Sequence, residues 1–160
     1  MLKKMMRIFL MLMLIPTLSL LGTVSSGEPF FGVCGVAEAT EISFDEMYSG
    51  ASSRGVEISD TLRNNVGCTV SMVGFMAPPL TPTINFFVLT REPMSICPFC
   101  GSDADWPADI VVVKLNEPVT ALPFDAPIRV TGTLGLGTEV DPETGFVSLV
   151  RIRSDYLEAL

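Results

Sequence analysis

The sequence contains no histidine. That absence excludes a Ser-His-Asp or Cys-His catalytic pair, a His metal ligand, a Cys₂His₂ finger and an imidazole pH switch. Cations are also scarce: 10 Lys and Arg stand against 18 Asp and Glu, a formal net charge of -8. Such a balance argues against nucleic acid or an anionic membrane surface as the main partner. No internal repeat, low-complexity tract or inter-domain linker is visible. What is present is a 160-residue chain, the length of one domain, with 48 % apolar residues and four cysteines.

The first residues, Met1-Leu2-Lys3-Lys4-Met5-Met6-Arg7, precede an apolar run from Ile8 to Val24. A cationic start followed by such a run reads as a secretory signal, 1–39. Pro16 interrupts the run and no basic stop-transfer cluster follows it. A retained anchor is the rival reading, because the run approaches the lower limit for spanning a bilayer. Two cleavage points fit, one after Ser26 (Val24-Ser25-Ser26) and one after Ala39 (Ala37-Glu38-Ala39). Val33 stands where lipid attachment at Cys34 would need a small residue. Cleavage after Ala39 leaves about 121 residues with a net charge of -9 and three cysteines, Cys68, Cys97 and Cys100.

Residues 40–65 read as an irregular lead-in with short helical turns. Ser43-Phe44-Asp45-Glu46 matches a capping box. Ser59 to Arg63 reads as a second turn, ended by Asn64-Asn65 and Gly67. From Cys68 the pattern turns to strands. Cys68 to Met76 alternates apolar with small polar residues, with Gly74 expected to mark a bulge or bend. Ala77 to Pro82 is a proline-rich loop. Ile84–Leu89, Ile110–Leu115, Ile128–Leu134 and Phe146–Ile152 follow as strands, the β-branched third one expected to be buried on both faces. Tyr156 to Leu160 is expected to add a frayed helical turn. Five strands with little helix point to an all-β domain over 66–160, a small five-stranded OB-like Greek-key barrel. A small sandwich is the alternative.

The order of segments adds a likeness. Val73-Gly74-Phe75-Met76-Ala77-Pro78-Pro79-Leu80 comes first, then an apolar strand, a Cys-bearing loop and Ile110-Val111-Val112-Val113. Pro127-Ile128-Arg129-Val130-Thr131-Gly132-Thr133-Leu134 and a closing strand complete it. This resembles a bacterial domain-of-unknown-function family of small exported OB-like proteins. The resemblance spans Val66 to Ile152 and implies an accessory role beside ABC-type envelope permeases, with no catalytic residues to transfer. The family usually has one Cys in this region, so the pair Cys97 and Cys100 departs from its pattern.

Cys97-Pro98-Phe99-Cys100 is the motif with chemistry. Three readings compete. As a redox CxxC it resembles the glutaredoxin motif. However, Gly101 and Pro107 oppose the helix that would activate the first thiol, and acidic neighbours raise its pKa. As a zinc or copper site it needs further ligands: Cys68 as third sulfur, Asp103 or Asp105 as oxygen donors, or a cluster of Met72, Met76 and Met94 for copper. As a structural element it forms a Cys97–Cys100 disulfide, or one of the two pairs with Cys68.

Asp103, Asp105 and Asp109 flank Trp106 and read as a solvated loop in preference to an acid–base pair. Trp106 either anchors a partner or closes the barrel bottom. Gly132, Gly135 and Gly137 lie in a strand and hairpin, which is the wrong context for a dinucleotide fingerprint. Arg129, Arg151 and Arg153 are expected on solvated strand faces.

The resulting expectation is a non-catalytic exported protein, periplasmic or extracellular, that binds an envelope protein or a small ligand. Nucleic acid is not expected as a partner, and membrane contact only through a partner or an uncleaved signal. The alternative is a thiol- or metal-handling protein using the CxxC loop.

Overall fold

The computed structural model describes residue 34 and residues 38–52, 55–96, 109–142 and 144–160. All of them fall in one compact unit, 31–160. Among the described residues there are eight strands: β1 (Thr40–Glu41), β2 (Tyr48–Ser52), β3 (Gly55–Ile58), β4 (Thr69–Met76), β5 (Thr83–Thr90), β6 (Val111–Thr120), β7 (Pro127–Val140) and β8 (Val147–Ala159). A single short α-helix, α1 (Asp60–Asn64), and a 3₁₀ turn at Phe44–Glu46 complete the described elements. Among the described residues no helix is long and apolar enough to cross a membrane.

Strands β4 to β8 close on themselves. β4 pairs antiparallel with β5, β5 with β6, and β6 runs parallel to β8; β8 pairs antiparallel with β7, which returns to β4. Each of the five therefore has a neighbour on both sides over part of its length, with β5 meeting β4 at Leu89 and Thr90 and β6 meeting β8 from Val112 to Leu115. The alternation in the sequence explains the inside. Ile128, Val130 and Leu134 of β7 and Val150 and Ile152 of β8 point inward at every second position. On β6 the expectation of two buried faces holds. Val111 and Val113 join the inner core, while Val112 packs outward with Ala77 and Val88.

The 40–65 segment is more than a lead-in. Its two turns form as expected, with the Glu46 carboxylate accepting hydrogen bonds from the Ser43 backbone N–H (2.9 Å) and hydroxyl (2.7 Å). Those donors hold the Glu46 pKa below its ordinary value. Ser59 caps α1 by accepting from the Leu62 N–H at 3.2 Å, and its hydroxyl donates to the Glu46 carbonyl at 2.5 Å. These turns aim Ile42, Phe44, Met47 and Leu62 into the inner core, where each is buried. Burying one such side chain contributes roughly 1.5–3 kcal/mol. β1 lies parallel to β4, and the Ile42 N–H donates to the Ser71 carbonyl at 2.9 Å.

Two local expectations change. Gly74 marks no bulge, since β4 stays in register with β7 from Thr69 to Phe75. It is small because a Cβ there would sit 2.6 Å from the Thr90 carbonyl and 2.9 Å from the Phe44 ring. Gly132 answers the same need, since a Cβ would strike the Arg153 backbone. Tyr156 to Ala159 continue β8 instead of forming a helical turn, because β7 extends far enough to pair with them.

Candidate functional site

Cys68 is not a free thiol. It is joined to Cys34 in a disulfide, which ties the segment before β1 to the start of β4. This corrects two expectations. Cys68 supplies no third thiolate to a zinc or copper site and is no partner for Cys97 or Cys100. Cys34 also has a structural place, and a cut after Ala39 would discard it. Sequence spacing gave no hint of the pairing, because residue 34 reads as part of the leader.

Cys97, Cys100, Asp103, Asp105 and Trp106 lie outside the described residues, as do most of residues 1–39. Among the described residues no three His, Cys, Asp or Glu side chains are grouped to hold a metal. The methionine cluster proposed for copper does not assemble. Met72 and Met76 are fully buried inside the ring, whereas Met94 packs on the outer apolar cluster. Met76 instead uses its sulfur to accept the Leu122 N–H at 3.4 Å.

Four of the six cations among the described residues are paired with carboxylates. Arg91 bridges Asp45 (2.6 Å) and Asp109 (2.9 Å). This makes Asp109 an ion-pair partner. Glu139 receives Lys114 at 2.5 Å and Arg151 at 3.0 Å, and these cations lower its pKa. Arg129 meets Glu158 at 3.5 Å. Two of the three arginines of the expected stripe are thus matched by carboxylates.

The outer face of β5 carries a second, partly covered apolar cluster. Ala77, Val88 and Val112 are buried there under Phe86, Met94, Ile110 and Phe146. Two clefts flank this cluster. One, of about 440 Å³, lies at the end of β5 and is bordered by Arg91, Glu92, Met94 and Asp109. The other, of about 380 Å³, lies between the β4–β5 loop, the start of β5 and the β7–β8 turn. Its apolar lining is Pro79, Leu80, Ile84, Phe86 and Phe146. Its polar lining is limited to Thr81, Thr83, Asn85 and Thr144. The rings of Phe86 and Phe146 lie 6.4 Å apart, tilted by 36°. The proline-rich loop holds Leu80 66 % exposed at the cleft.

The chain shares its fold with a DUF3299 family protein. That protein, from Pseudomonas aeruginosa PAO1, is 14 % identical, with a TM-score of 0.51 over 78 % of this chain and 97 % of its own. No family model and no curated protein matches the sequence. A likeness at this identity concerns the backbone path, so the DUF3299 protein lends a fold from a family of unknown function and no site residues.

The residues that sequence reasoning missed are those of the smaller cleft. Leu80, Ile84, Phe86 and Phe146 read as loop and strand positions, separated by some sixty residues along the chain. Only the return of the β7–β8 turn to the start of β5 brings them together. A faint signal exists in β5, where Phe86 and Phe87 are adjacent. In a strand, adjacent residues face opposite sides, so one of the two must leave the core.

Proposed function

We propose that this chain is a non-catalytic binding protein exported to the cell envelope, built as an OB-type barrel and serving an ABC-type transport or assembly system. The five-strand ring supports the OB reading. Numbered from β4, its order is first, second, third, fifth, fourth and back to first, with a parallel pair between third and fifth. The observation that carries the function is the position of the smaller cleft. OB-type barrels bind ligands on the second and third strands and through the loops after the first and fourth. The cleft uses the second strand and those two loops.

Export draws support from the Cys34–Cys68 disulfide, since such bonds persist in oxidising compartments. Retaining that bond requires cleavage before Cys34, so the cut after Ser26 is the one we favour. The link to ABC-type permeases rests on the sequence resemblance.

The test is site-specific photo-crosslinking in cells. A photoreactive residue at position 80, beside the cleft, is expected to yield products with an ABC-type permease component, while one at position 63 yields none. The same products from both positions, or only cytoplasmic products, would overturn the reading.

A further inference from the structure

We propose that the smaller cleft takes a small, uncharged, largely apolar molecule with a neutral hydrogen-bonding group, an inference that rests on the binding-protein reading above. Its size falls in the range of small-molecule sites, roughly 300–1,000 Å³. No charged side chain lines it among the described residues, although the chain is rich in carboxylates. A charged ligand entering such a cleft would lose hydration without gaining a counter-ion. An apolar ligand gains about 25 cal/mol for each Å² removed from water.

The polar groups narrow the choice. The Thr81 hydroxyl donates to the Thr83 carbonyl at 2.8 Å, and the Thr144 hydroxyl donates to Asp141 at 2.9 Å. These two donors are therefore engaged within the protein, which leaves the Thr83 hydroxyl and the Asn85 carboxamide facing the cleft. The Asn85 carboxamide makes no hydrogen bond among the described residues and is exposed in the lining. It is a neutral group able to donate and accept, which suits an amide, ester, ketone or hydroxyl on the ligand. The lining consists of side chains that converge from three segments, Leu80 and Thr81 from the β4–β5 loop, Ile84, Asn85 and Phe86 from β5, and Thr144 and Phe146 from the β7–β8 turn. The occupant is therefore held by side chains in a cleft, as a small molecule is.

The experiment uses the exported chain with its disulfide intact and three fluorescent probes. N-phenyl-1-naphthylamine is neutral and apolar, prodan is neutral with a ketone acceptor, and anilinonaphthalene sulfonate is anionic. Both neutral probes are expected to bind at one site at least tenfold more tightly than the sulfonate. Leu80→Asp places a charge at the cleft on an exposed position that the core does not use, and it should weaken both neutral probes at least tenfold. Val140→Asp, at an exposed apolar position outside the lining, should leave them unchanged. Asn85→Leu should weaken prodan and spare phenylnaphthylamine.

Equal or tighter binding of the sulfonate at the same site would overturn the ligand class while leaving the binding-protein reading in place. Insensitivity to Leu80→Asp, or absence of binding by both neutral probes, would overturn the assignment itself. The crosslinking result stands apart from both outcomes.

Discussion

Strands β5 and β6 carry apolar side chains on both faces, and the two faces meet different fates. Inside, Phe87, Leu89, Val111 and Val113 join a core that the 40–65 segment completes with Ile42, Phe44, Met47 and Leu62. Outside, Phe86, Val88 and Val112 belong to a smaller cluster whose cover is partial, and a cleft opens beside Phe86. The same residue types on the same strands thus give stability on one side and an accessible site on the other. What separates them is the supply of covering chain. The N-terminal segment is latched by a parallel bridge and a disulfide, and it fills the inner side. The β4–β5 loop and β7–β8 turn only border the outer one.

This contrast can be broken from its strongest point. Leu62→Ala removes a fully buried side chain that the N-terminal segment contributes to the inner core. It should cost about 2–5 kcal/mol by chemical denaturation. Replacing Cys34 and Cys68 together by Ser releases the latch, which closes a sequence separation of 34. A loss of about 2–4 kcal/mol is expected, read from the denaturation midpoint under non-reducing conditions. Ser59→Ala removes the cap of α1 and the bond to Glu46 and should cost about 1 kcal/mol.

On the outer side, Leu80→Ala should change stability by less than about 0.5 kcal/mol. A loss near that of Leu62→Ala would erase the distinction drawn here.

The weakest expected effect is electrostatic. Lys114 and Arg151 hold the Glu139 pKa below its ordinary value of 4.5. Its stabilising contribution is complete above that ordinary value and is lost as pH falls through the lowered one. The stability difference between the parent chain and Glu139→Gln should therefore shrink on acidification through this range. Because the pair is partly exposed, added salt should shrink it at neutral pH as well.

Much of the fold was legible because its signals are local. The alternation in β4, the β-branched run of β6 and the capping box at Ser43 each depend on neighbours within a few residues. Strand ends were less so. β8 runs to Ala159 and β7 to Val140 because each provides the other's hydrogen-bond partners, which is a property of the pair. Gly74 was misread for a related reason. Its smallness answers Phe44 and the Thr90 carbonyl, groups distant in sequence and close in space.

The candidate site was scarcely legible. The sequence directed attention to cysteines, aspartates and a tryptophan in one loop, whereas the described cleft is made from aliphatic, aromatic and amide groups of three separate segments. Such residues carry no motif, because their chemistry is ordinary until a concave shape gathers them.

By itself, then, the sequence determined the all-β class, the acidic surface and the exclusion of imidazole chemistry, since composition and short-range periodicity suffice for these. The tertiary structure alone decided that Cys68 pairs with Cys34, that Met94 parts from Met72 and Met76, and that residues 40–65 complete the core. It alone also made a cleft beside Phe86. Those outcomes depend on which distant segments meet when the strand ring closes, and no local pattern encodes that meeting.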